Sequence, residues 1–175
     1  MDNQQEQLKS IVCKSLESFN ASESYLIEND LSERCICARY ALHLTEALED
    51  SEYGDYFVDV EYNRGAYGKE YGIKKIDGHP ITVDLIVHKR VYDTRTGFSN
   101  LICMEMKKST DCRGCDDDIE RLRKLCSSSR GFRYSIGFML LVNMENKRIE
   151  IKETILYGEN NRLLTPNGTG TVSEW

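Results

Sequence analysis

Glu105-Met106-Lys107 follows the apolar run Leu101-Ile102-Cys103-Met104, so two opposite charges fall where a strand enters a core. Burying an ionised group is costly unless it is paired or ligates a metal. Side chains alternate along a strand, so Glu105 and Lys107 share a face with Leu101 and Cys103, while Ile102, Met104 and Met106 take the other. An earlier apolar run, Ile81-Thr82-Val83-Asp84-Leu85-Ile86-Val87, carries its own acid in Asp84. Between the two runs, residues 91–97 have the Asp, Thr and Gly content of a turn. A hairpin centred on Thr94 and Arg95 sets Asp84 directly across from Glu105, with Cβ atoms roughly 4.5–5.5 Å apart, where like charges are unfavourable. Two arrangements relieve that repulsion: a divalent cation shared by the carboxylates, or a structural ion pair with Lys107 or Lys89. A slip of one residue would send the acids to opposite faces, so the chemistry depends on the register.

The elements that must hold these residues follow from periodicity. Leu8, Ile11, Val12, Leu16 and Phe19 recur at helical spacing and predict a first helix over 3–19. A second is expected to start near Asn29-Asp30, either of which can cap it, and to run to Ala47 or Leu48 with Leu31, Cys35, Ala38 and Leu42 as its apolar stripe. Glu33 sits in its first turn, where an acid complements the helix dipole. Arg39 and His43, four apart on that helix, face phosphate or water. Tyr56 to Tyr62 alternates as a half-exposed strand whose Asp59 and Glu61 read as solvated acids. Residues 63–75 are rich in Gly, Tyr and basic residues; Arg64 and Lys69 can meet phosphate there, and a plain surface loop is the equal alternative. Asp116-Asp117-Asp118 opens a third helix and Arg121, Arg123 and Lys124 lie toward its end, as the dipole favours. Tyr134 to Asn143 reads as a strand buried on both faces, and Arg148 to Tyr157 as an outer strand.

That order describes one α/β domain over 1–157, a mixed central sheet flanked by helices, with 158–175 a loose tail. The chain of 175 residues is long enough for a real core. No apolar run reaches bilayer length and the N-terminus lacks signal-peptide features, so a cytoplasmic protein with no membrane partner is expected. Its seven cysteines then read as free thiols. Zinc at Cys112 and Cys115 with Cys35 and Cys37 is not expected, since the last two point about 200° apart around a helix. The net charge of −6 is unevenly spread: residues 1–62 hold 14 acids against 4 bases, residues 63–175 hold 15 against 19. The basic part contains Asp84, Glu105 and Lys107, and permits phosphate contact without demanding it. No glycine-rich phosphate loop or Gly-x-Ser-x-Gly elbow is present.

Asp84, twenty intervening residues and then Glu105-Met106-Lys107, on adjacent predicted strands followed by a helix, resembles the PD-(D/E)XK nuclease superfamily with its restriction-endonuclease-like sandwich. The resemblance covers about residues 30–143. Val83 stands where the family often has Pro, the nearest being Pro80. The resemblance implies a Mg²⁺-dependent nuclease, Mn²⁺ substituting, acting on DNA. Asp84, Glu105 and the Met106 carbonyl would hold the cation, and Lys107 would act beside it. It adds Glu33 as a further ligand and a basic residue, Arg121 or Lys124, from the helix after the motif; Lys108 and these two would meet nucleic acid with Arg64 and Lys69. One small domain with one site also suggests a homodimer, through the first helix or the strand at 148–157. The competing reading is an inactive nuclease-fold protein that binds a protein or nucleic acid.

Overall fold

Three helices precede the first strand in the computed structural model, which describes residues 3–64, 72–90, 99–111, 113–127 and 132–158. α1 (Asn3–Ser22) buries Leu8, Ile11, Val12, Leu16 and Phe19, the predicted stripe. α2 (Ser24–Glu28) is a single short helix. α3 (Glu33–Glu49) starts later than expected, because Ser32 is its cap and accepts the Cys35 N–H at 3.2 Å. Asn29 instead closes α2, and Asp30 turns the chain with φ +52°, a left-handed conformation that cannot begin a helix. The buried face of α3 is also rotated from the expected one: Ile36, Tyr40, Leu44 and Ala47 point inward, whereas Cys35, Ala38 and Leu42 are exposed. Tyr40 decides the phase. Its ring is fully buried against Phe19 and its hydroxyl bonds Ser15 at 2.9 Å, a fit that Leu42 could not replace.

The strands are β1 (Phe57–Tyr62), a hairpin of β2 (Lys75–Ile76) and β3 (His79–Pro80), then β4 (Val83–His88) and β5 (Asn100–Lys108). α4 (Cys115–Cys126), β6 (Ile136–Asn143) and β7 (Arg148–Leu156) follow. Asp77 and Gly78 turn the small hairpin with φ of +52° and +82°, the positive values a two-residue turn demands. Five strands form one sheet in the order β1-β4-β5-β6-β7, antiparallel except for the parallel β5–β6 pair. A parallel pair needs a crossover, and α4 supplies it. Helices cover both faces. One core packs Leu85, Val87, Ile102, Met104 and Met106 with α1 and α3, and a second packs Ile86, Cys103 and Met139 with α4. The mixed α/β expectation is therefore met, and among the described residues no helix is long and apolar enough to cross a membrane. The predicted turn at 91–97, Lys69 and the tail beyond Gly158 lie outside the described residues.

The critical register is the predicted one. Leu85 pairs with Met104, Ile86 with Cys103 and Val87 with Ile102, as a hairpin centred on Thr94 and Arg95 requires. A bulge at Val87/His88 shifts the pairing only at the far end. Continued by one step, this pairing brings Asp84 opposite Glu105.

Candidate active site

β4 begins, and β5 ends, at the same end of the sheet, in its interior strands. The Met106 N–H donates to Asp84 Oδ2 at 2.9 Å, so a carboxylate bridges the two strands just past the Leu85–Met104 pair. A strand residue directs its N–H and C=O to the same neighbour, so the Met106 carbonyl also leaves on the Asp84 side. Behind Asp84, the Cys37 thiol of α3 donates to the Asp84 carbonyl at 3.4 Å. Burial, with Asp84's charge adding, pushes that thiol up to about 12, so it is a packing group and not a nucleophile.

Glu105 is only 2 % exposed. Burial pushes its carboxyl well above the ordinary range, and the neighbouring charge of Asp84 pushes the same way. Arg121 opposes both, its Nη1 donating to Glu105 Oε1 at 2.8 Å. The same nitrogen stands 3.0 Å from Asp118 Oδ1, one turn earlier on α4. Deleting one partner of a fully buried ion pair costs about 3–5 kcal/mol, and less where, as here, the guanidinium is partly in solvent.

Lys107 does not pair with Glu105, its neighbour on the strand face. Its Nζ lies 3.6 Å from Asp118 Oδ2 and 3.8 Å from Glu33 Oε2. Burial pulls its pKa down, but Asp118, Glu33, Asp84 and Glu105 together outweigh that and raise it. The ammonium is thus held charged, opposite to what a neutral base needs. Glu33 reaches across from the first turn of α3 and accepts the Lys108 N–H at 2.9 Å. Four carboxylates and two cations, from α3, β4, β5 and α4, share this end of the sheet.

The remaining candidates are elsewhere. Lys108 turns to Asp30, 2.7 Å away, and Lys124 to Asp77 at 3.1 Å and Glu120 at 3.7 Å, so neither side chain lies in the carboxylate cluster. Arg64 is exposed beside a bridge to Ile73. Arg39 and His43 converge on Glu23, at 2.7 and 3.4 Å; Arg39 remains exposed to water, whereas His43 is largely covered. Asp59, read as a solvated acid, is engaged by His88 and Arg90, whereas Glu61 stays exposed as expected while pairing with Arg34. Two residues escaped the sequence reading. Asp118 was masked by its acidic neighbours, although its spacing from Cys115 and Leu122 puts it on the buried stripe of α4. Lys74 belongs to the basic 63–75 segment, whose alternative reading is a plain surface loop. Lys74 is 2 % exposed, bonds Tyr134 Oη at 2.7 Å and lies among the rings of Tyr62, Phe132 and Tyr134, where burial lowers its pKa to about 8.

Asp84, Glu33 and Met106 line a cavity of about 330 Å³ between α3 and β1 that also borders Arg34 and Glu61. Glu105 is not among its lining residues. As the side chains stand, no three His, Cys, Asp or Glu among the described residues come together closely enough to hold a metal. No protein-family model, curated protein or solved structure matches the chain.

Proposed function

We propose that this chain is a metal-dependent nuclease of the PD-(D/E)XK type, with a restriction-endonuclease-like sheet, hydrolysing phosphodiester bonds in DNA. The observation that carries the reading is the convergence of Asp84, Glu105 and Lys107 on one end of two adjacent strands, joined by Glu33 from the helix layer. The donor set fits a hard cation. Asp84 Oδ1 and Glu105 Oε2 make no hydrogen bond among the described residues, Asp118 Oδ2 is buried without a hydrogen-bond partner, and all are carboxylate oxygens. Asp84, Glu105 and the Met106 carbonyl would hold Mg²⁺ or Mn²⁺, with Glu33 at the rim. When bound, such an ion acidifies water and neutralises charge developing on the phosphate.

The chain's own residues do the rest. Asp84 is fixed by the Met106 amide and so keeps its aim before any ligand arrives. Lys107, held charged by its acids, acts electrostatically on a phosphate oxygen or orients water through a hydrogen bond; it does not take the proton. The cavity lined by Asp84, Glu33 and Met106 offers space beside three of the proposed metal ligands.

The test is cleavage of supercoiled and linear DNA. Activity is expected with Mg²⁺ or Mn²⁺, and not with Ca²⁺, whose looser coordination occupies carboxylates without aligning water. Asp84→Asn and Glu105→Gln should each lower it by on the order of a hundredfold or more while folding normally. Cleavage that survives EDTA, or that either variant retains, rejects the reading. A second reading, a non-catalytic binding module on this fold, is favoured by Arg121 already neutralising Glu105. Failure of Mn²⁺ to bind the wild type in calorimetry would select it.

A further inference from the structure

Arg121 Nη1 touches carboxylate oxygens from two different elements, Glu105 Oε1 at 2.8 Å and Asp118 Oδ1 at 3.0 Å. We infer that this guanidinium occupies a cation's position, and that a divalent ion entering between Glu105 and Asp118 displaces it and takes Asp118 as a ligand. The inference rests on the metal-dependent reading above and adds to it a residue outside the Asp84 and Glu105-Met106-Lys107 pattern.

Three observations carry it. Asp118 is 6 % exposed, and its Oδ2 is a buried oxygen with no hydrogen-bond partner, 3.6 Å from Lys107 Nζ. A buried acceptor left unsatisfied is costly, and this one is directed into the same cluster as Glu105. Charge supplies the second. Four carboxyl groups, of Glu33, Asp84, Glu105 and Asp118, face two cations, Lys107 and Arg121, so the cluster holds more acidic oxygens than its own cations engage. Exposure supplies the third: the Arg121 side chain is 29 % exposed whereas those of Glu105 and Asp118 are 2 % and 8 %, so the arginine borders water and the acids do not. An arginine also keeps its charge at any working pH, so only movement, and not deprotonation, can vacate the position.

The displacement can be read without any turnover. Mn²⁺ binding to the full chain by calorimetry and electron paramagnetic resonance is expected to tighten by on the order of tenfold in Arg121→Gln, where the competing charge-assisted bonds are gone, and to weaken by a similar factor in Asp118→Asn. Arg121→Gln leaves Glu105 without its partner, so the wild type provides a parallel measurement. The guanidinium ¹⁵N signals of Arg121, assigned by their loss in Arg121→Lys, should show hindered rotation in metal-free protein and free rotation after Mg²⁺ is added. If Asp84→Asn abolishes Mn²⁺ binding but Arg121→Gln and Asp118→Asn bind as wild type does, or if the guanidinium signals ignore Mg²⁺, the inference is overturned and the nuclease reading stands. If neither the wild type nor any variant takes up Mn²⁺, both fall.

Discussion

Glu105 is a carboxylate whose surroundings disagree about its charge: burial and Asp84 favour the neutral form, Arg121 the ionised one. That conflict has a thermodynamic signature. A carboxyl whose folded pKa is raised holds its proton more tightly in the native state than in the unfolded chain, so it costs nothing below its ordinary value of 4.5. The cost grows as pH rises from 4.5 through the raised folded value. Glu105→Gln removes this titration while keeping the side chain's shape. The melting temperature of the metal-free wild type should therefore fall relative to Glu105→Gln as pH increases from 4.5 to neutrality, followed by calorimetry in low salt. Parallel curves for the two proteins would mean that Arg121 fully offsets burial.

At the scale of elements, α4 carries Asp118 and Arg121, and its height above the sheet is set by small atoms. A Cβ on Gly137 of β6 would meet Cys126 Sγ of α4 at 3.0 Å and Cys103 Sγ of β5 at 3.4 Å. Gly137→Ala should cost about 1–3 kcal/mol through overpacking. Adding Cys126→Ala should return most of that stability in urea unfolding; independent effects of the two changes would refute the contact. What the sequence disclosed about these elements is uneven. The β4–β5 register was legible from the turn composition centred on Thr94 and Arg95, since both strands are buried on both faces and offer no alternation that would set it. The phase of α3 was not, since Leu42 and Cys35 are as apolar by type as Ile36 and Leu44, and only the bulk of Tyr40 and its Ser15 partner choose between faces. The Glu33 position was readable as a dipole acid, but its reach to Lys108 depends on how α3 docks. The role of Arg121 was only half visible. A solvent-facing helix charge and one folded over a buried carboxylate have the same spacing, and the difference lies in the crossover connection that seats α4 above β5.

For the whole molecule, β1 and β7 are the two edges of the sheet. The β7 edge was a candidate for self-association, and part of it is occupied. Asn20 of α1 donates to the Ile149 carbonyl at 2.9 Å and accepts its N–H at 2.7 Å, so one side-chain amide takes the position of a neighbouring strand. Charges at Glu150, Lys152 and Glu153 further blunt that edge. The proposed homodimer would have to form beside this block, and sedimentation at micromolar concentration decides whether it does. Asn20→Ala should destabilise the fold by about 1–3 kcal/mol, through two backbone groups losing their partner, and should increase self-association in the same measurement. Unaltered stability and sedimentation would show the amide to be dispensable. The Glu33 to Lys108 bond bears on the order of events during folding. It links residues 75 positions apart, so it needs α3 docked against the end of β5, a contact with a high loop-closure cost. A refolding chain should therefore regain its helical signal first, and the proposed Mn²⁺ binding only in its slowest phase.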